Sequence, residues 1–125
     1  MKLRVYYEDT DAGGIVYHSN YLNFCERARS EAFFSRSLMP FSESGHFVAK
    51  RLQAEYIASA KLGDLLDVKN SITEFRSASF TLLQEIYKGE TKLFEMSITL
   101  VYTSLDAKVQ RIPLDLKSLI EEIFS

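Results

Sequence analysis

Residues 7 to 29 read Tyr-Glu-Asp-Thr-Asp-Ala-Gly-Gly-Ile-Val-Tyr-His-Ser-Asn-Tyr-Leu-Asn-Phe-Cys-Glu-Arg-Ala-Arg. Glu8, Asp9 and Asp11 place three carboxylates within four residues, Gly13 and Gly14 let backbone approach a substrate closely, and an amphipathic helix follows at once. A carboxylate so placed can attack an activated acyl carbon or deprotonate a water. The free N–H groups of a helix start can stabilise the oxyanion that either route develops. Asp11 suits that role best. It stands just before the glycine pair and seven residues before His18, so a loop can fold it back toward the helix. Backbone donors of Val16 to Ser19 would then face the substrate oxygen, with the helix dipole adding to their field.

Each of these residues also has a plainer reading. Asp-Thr-Asp can be a solvated turn in which short polar side chains cap backbone groups. The His18 ring can orient water or simply satisfy its local backbone. Tyr7 and Tyr17 can shape an acyl tunnel, with Phe24 and Phe33 adding to an aromatic wall, but ordinary core packing is the favoured reading for the two tyrosines. Glu26 is a second carboxylate on the helix, and pairing with Arg29 or Ser30 one turn on is preferred for it. The acidic run lacks the spaced oxygen ligands and terminal Glu of a calcium loop, and the lone His18 does not complete a zinc set. Nor is Gly13-Gly14 a phosphate cradle, since the strand, spacing and lysine of such motifs are missing.

The elements that must position this loop follow from periodicity. Leu3 to Tyr7 reads as a short strand ending at the acidic loop. Ser19 or Asn20 can cap a helix over Tyr21 to Arg36, with Tyr21, Phe24, Cys25, Ala28 and Ala32 on one face. The small members of that face let a sheet come close. Pro40 ends the segment, and Phe41 to His46 reads as a connecting piece. Period two then replaces period 3.6 over Phe47 to Ile57, Leu65 to Phe75, Phe80 to Tyr87 and Phe94 to Tyr102. Leu62-Gly63-Asp64, Arg76-Ser77-Ala78 and Lys88-Gly89-Glu90 read as turns between antiparallel neighbours. A short strand over Val109 to Ile112 precedes Pro113 and a closing helix that buries Leu116, Leu119, Ile120 and Ile123. The plan is α+β, with the long helix laid across the concave face of a curved antiparallel sheet. Strands of about eleven residues run to roughly 35 Å, and their uncovered edges predict self-association.

Composition narrows the function. The chain has 125 residues, of which 46% are hydrophobic, and that predicts one domain, residues 1–125, with a single core. A net charge of −2 gives no case for nucleic-acid binding. No apolar run approaches the roughly 20 residues needed to span a bilayer, and Met-Lys-Leu-Arg-Val lacks the apolar centre of an export signal, so a cytoplasmic protein is expected. The single cysteine, Cys25, fits a reducing compartment and lies on the apolar helix face, where it is a poor nucleophile.

Asp9-Thr10-Asp11-Ala12-Gly13-Gly14-Ile15-Val16-Tyr17-His18, followed by Asn20-Tyr21, Phe24 and Glu26-Arg27-Ala28-Arg29, resembles the signature of the 4-hydroxybenzoyl-CoA thioesterase family. Within it, the match is to the YbgC-type acyl-CoA thioesterases associated with the Tol-Pal system. Leu62 to Val68 and Ser79-Phe80 resemble the family's later strand motifs. The resemblance implies a hotdog fold, in which an antiparallel sheet wraps a central helix and protomers pair through their sheets, commonly as a dimer of dimers. It implies hydrolysis of acyl-CoA without a metal or redox cofactor. It further implies that Asp11 is the catalytic carboxylate and that the backbone N–H of His18 polarises the thioester carbonyl. Active sites at a dimer interface make Arg76, Ser77 and Ser79 from the neighbouring protomer, and Lys61, candidates for CoA contacts, alongside Tyr7, Gly14 and Tyr17 around the loop. For Arg76, Ser77, Ser79 and Lys61 the favoured reading is that of exposed turn residues. Two rival functions are an acyl-carrier-protein or acyl-thioester binding module supporting membrane lipid biogenesis, and a dehydratase acting on acyl thioesters, for which no His-Asp motif is found.

Overall fold

The computed structural model describes residues 1–124, so only the last residue of the expected 1–125 domain lies outside it. Six strands form one antiparallel sheet: β1 (Lys2–Arg4), β2 (Phe41–Ser42), β3 (Gly45–Tyr56), β4 (Leu65–Phe75), β5 (Ser79–Lys88) and β6 (Thr91–Thr103). Two α-helices accompany it, α1 (Asn20–Phe34) and α2 (Leu114–Ile123). The spatial order is β1-β4-β5-β6-β3-β2.

The alternation in β5 and β6 builds the core directly. Phe80, Leu82, Gln84 and Ile86 point inward from β5, and Phe94, Met96, Ile98, Leu100 and Tyr102 from β6, all of them buried. Onto this face α1 presses Tyr21, Phe24, Cys25, Ala28 and Phe33. Cys25 and Ala28 keep the helix backbone close enough for the Asn70 amide of β4 to reach the Ala28 carbonyl at 3.5 Å and the Gln84 amide to reach that of Cys25 at 2.8 Å. Tyr21 stacks on Phe94 with ring centroids 5.1 Å apart. On α2, Ile120 is fully buried, with Leu116 and Ile123 packed against the core; α2 begins directly after Pro113, as read from the chain.

Several expectations are corrected by the register. Only two of the three turn signals join sheet neighbours, at the β4–β5 and β5–β6 hairpins. Leu62-Gly63-Asp64 does not, because β3 pairs with β6 while β4 lies between β1 and β5. The segment after β3 therefore crosses beneath the acidic loop to reach the far side of the sheet. The opening strand stops at Arg4, where its pairing with Leu65 ends, and Tyr7–Asp9 turns into a short 3-10 helix. The expected strand at Val109 to Ile112 reduces to one bridge, Val109 to Thr103. The Phe41 to His46 connection is a tight hairpin of β2 on β3, pairing Phe41 with His46 and Ser42 with Gly45. Beyond that two-residue cover, β3 is an open edge.

Candidate active site

The acidic loop is pinned at both ends. Thr10 bridges Val16, Ile15 bridges Lys61, and the Val16 N–H donates to the Ala60 carbonyl at 2.9 Å. Inside that frame the Asp11 N–H donates to the Ile15 carbonyl at 2.9 Å and the Gly14 N–H to the Asp11 carbonyl at 3.0 Å. Gly14 sits at φ +82°, a conformation glycine adopts without strain. A Cβ on Gly13 would lie 3.2 Å from Asp11 Oδ1, so the glycine keeps space beside that carboxylate.

The two aspartates of the Asp-Thr-Asp run have opposite environments. Asp9 is buried; its Oδ2 accepts the Tyr6 N–H at 2.9 Å and its Oδ1 the Asn20 amide at 2.7 Å, tying loop to helix start. Asp11 is exposed, and its one side-chain bond is from the Gly13 N–H at 2.8 Å. It lines a crevice of about 350 Å³ together with Val16, His18, Tyr21, Tyr56 and Ser59. Asp11, exposed and accepting the Gly13 N–H, fits the solvated-turn reading through Oδ1, while its Oδ2 meets no protein donor among the described residues; Asp9 is instead a buried tie between loop and helix.

Of the backbone donors expected from Val16 to Ser19, two are consumed: Val16 by Ala60, and Tyr17 by the Asp9 carbonyl at 2.9 Å. Among the described residues, the N–H groups of His18 and Ser19 meet no protein acceptor. Ser19 precedes α1 in helical conformation without a side-chain cap, and His18, just before it, lines the crevice. Tyr56 was not anticipated from the chain. Its hydroxyl donates to the His18 carbonyl at 2.6 Å, and its ring packs edge-on against Tyr21 and Phe94. Burial pushes the Tyr56 phenol pKa up, keeping it a donor.

The other expected site residues scatter. Tyr7 is 82% exposed and Tyr17 48%, so neither is the core aromatic favoured from the chain; the 3-10 turn points Tyr7 outward, and Tyr17 lies 4.5 Å from the His18 ring. Lys61 is close by, through its backbone bridge to Ile15. Arg76, Ser77 and Ser79 lie at the β4–β5 hairpin, the far end of β4 from Lys61, and Arg76 pairs with Glu74; one protomer does not bring them to Asp11. Glu26 accepts from Ser30 at 2.8 Å, the structural role preferred for it. Phe24 and Cys25 are fully buried, and burial holds the Cys25 thiol up to about 12, far from the thiolate a nucleophile needs. Among the described residues, no three His, Cys, Asp or Glu side chains converge as a metal set.

Residues 13–95 match the model of the thioesterase superfamily. This chain belongs to that family. It is 49% identical over 87 residues to the acyl-CoA thioesterase YbgC of Helicobacter pylori, covering 70% of this chain and 65% of that protein. The match thus spans just under two thirds of that relative's length. It is 42% identical over 104 residues to the acyl-CoA thioester hydrolase YbgC of Escherichia coli O157:H7, covering 79% of this chain and 76% of that one. The crystal structure of a probable thioesterase from Bartonella henselae superposes with a TM-score of 0.85 at 29% identity, over 90% of this chain and 97% of the other. The curled sheet around α1 is the hotdog fold of that family. No helix among the described residues is long and apolar enough to cross a membrane.

Proposed function

We propose that this chain is a cytoplasmic acyl-CoA thioester hydrolase working as a single domain. One observation carries the reading: Asp11, with one carboxylate oxygen on the Gly13 N–H and the other without a protein donor, and His18, whose N–H meets no protein acceptor, line the same crevice. Asp11 takes a proton from water, the resulting hydroxide adds to the thioester carbonyl carbon, and the oxygen gaining charge is held by the His18 N–H. Collapse of the tetrahedral species breaks the C–S bond, and the proton held on Asp11 passes to the leaving CoA thiolate, restoring the carboxylate. Direct attack by Asp11, forming a mixed anhydride that water then opens, gives the same products. In this reading Gly14 and Tyr17 stand beside the reacting group through the loop and the His18 ring, Tyr7, turned to solvent, reaches only the outer part of the substrate, and Lys61 meets the CoA.

A second copy joins along the open edge of β3, where Val48, Leu52 and Tyr56 are 39, 43 and 50% exposed. Arg76 of the partner subunit, with Ser77 of the partner subunit and Ser79 of the partner subunit, is placed to meet the CoA at that interface. Asp11→Asn keeps shape and removes charge. It is expected to lower kcat for acyl-CoA hydrolysis by at least about a hundredfold in a folded protein. Undiminished turnover in that variant would sink the proposal.

A further inference from the structure

One hydroxyl in the Asp11 crevice is buried, held in place and still has a hydrogen to donate. Tyr21 stands in the first turn of α1, where side chains tilt toward the helix start, so its ring is carried toward the end that presents the His18 N–H. Both residues line the crevice. Tyr21 is only 3% exposed, with its ring stacked on Phe94 and meeting the Tyr56 ring edge-on at 5.5 Å. Its hydroxyl oxygen accepts the Ala60 N–H at 3.0 Å, and the Ala60 carbonyl in turn holds the Val16 N–H of the acidic loop. The hydroxyl hydrogen meets no protein acceptor among the described residues. Ser59 also brings a hydroxyl to the crevice, but it is exposed and makes no hydrogen bond that would hold it.

A donor fixed before the reaction needs no reorganisation when charge develops, and a buried O–H without an acceptor is destabilising until an acceptor arrives. A thioester oxygen gaining charge is such an acceptor. In the hydrolysis proposed above, the His18 N–H otherwise carries that charge alone.

We infer that Tyr21 is a catalytic residue whose O–H donates to the thioester oxygen beside the His18 N–H, making an oxyanion site of two donors. The assignment rests on the proposed hydrolysis. No proton is transferred in it: the O–H stays on Tyr21 while the carbonyl oxygen gains charge, and the hydrogen bond weakens again as the C–S bond breaks and the C=O re-forms.

Tyr21→Phe keeps the ring stack and removes the hydroxyl. With butyryl-, octanoyl- and benzoyl-CoA as substrates, kcat is expected to fall about a hundredfold at unchanged KM. That variant also leaves the Ala60 N–H without its acceptor, so two further readouts separate chemistry from support. Trifluorotyrosine at position 21 ionises at lower pH than tyrosine, yet its phenolate still accepts the Ala60 N–H. The alkaline limb of kcat should therefore move to lower pH, whereas a merely structural hydroxyl leaves it in place. In the natural protein burial pushes the Tyr21 phenol pKa up against the pull of the Ala60 N–H, with Tyr56, Asp64, Asp11 and His18 the titratable groups around it, so the donor is kept through neutral pH. In Asp11→Asn protein, where the thioester persists, the infrared stretch of a carbon-13 thioester carbonyl should rise when Tyr21→Phe is added. An unmoved alkaline limb or an unmoved carbonyl stretch would overturn the role of Tyr21 alone. Wild-type protein that hydrolyses none of the three thioesters would defeat the hydrolysis itself, and the role of Tyr21 with it.

Discussion

Asp9 and Asp11, two residues apart, lie in opposite environments, one buried and one exposed, and the proposed hydrolysis assigns the chemistry to Asp11 alone. Asp9 holds two donors in a buried setting, so Asp9→Ala leaves both unsatisfied and should cost about 2–4 kcal/mol in urea unfolding. Asp11→Asn, which alters only an exposed turn, should leave the urea midpoint in place while the proposed hydrolysis collapses. A matched loss of stability in both variants would contradict this division. Tyr56 acts at the same scale but through another residue. Its hydroxyl fixes the His18 peptide from the side of the carbonyl, so Tyr56→Phe keeps the ring packing and releases only that tether. The expected result is a kcat about tenfold lower at unchanged KM, with little change in melting temperature; a KM effect alone would make Tyr56 a substrate contact instead.

At the scale of elements, the open edge of the sheet depends on how tightly β2 turns into β3. Gly45 is buried in extended backbone, and a Cβ there would fall 2.3 Å from the Thr103 carbonyl oxygen and 2.6 Å from the Gln110 amide. The amide can swing aside, but the carbonyl belongs to β6. Gly45→Ala is therefore expected to destabilise by about 1–3 kcal/mol, measured as a lower urea midpoint. The helix shows the complementary economy of space. Cys25 and Ala28 on its inner face allow the Gln84 and Asn70 amides to hydrogen-bond helix carbonyls directly, an arrangement that larger side chains would hold apart.

For the whole molecule, the decisive feature is the order of strands. Because the chain crosses from β3 to β4 without pairing them, β3 is left at an edge while carrying Tyr56 into the Asp11 crevice at its end. The proposed pairing of two copies along that edge thus sits beside the chemistry. Placing lysines at Val48 and Leu52, both exposed on β3, should give monomers by sedimentation and cost activity together with assembly. A monomeric double variant with full activity would detach the site from the interface.

Periodicity alone marked α1, the four long strands, the closing helix and the acidic loop, because each is written in contiguous residues whose spacing decides which face is apolar. Position before a helix marked Asp11 and the donors from Val16 to Ser19, and the family resemblance narrowed those donors to the His18 N–H. Tertiary structure alone decided which strands are neighbours, since the turn signal at Gly63 has the same local chemistry whether it closes a hairpin or a crossover. It alone assigned Asp9 to the interior and Tyr7 to solvent, because burial depends on what the rest of the chain packs against. Gln84 passed unremarked within the β5 alternation, and only the structure shows it buried with its partners. Tyr56 lies 38 residues from the carbonyl it holds, and Arg29 is 55 residues from Gln84. No local pattern encodes such pairs; the sheet closing over the helix brings them together.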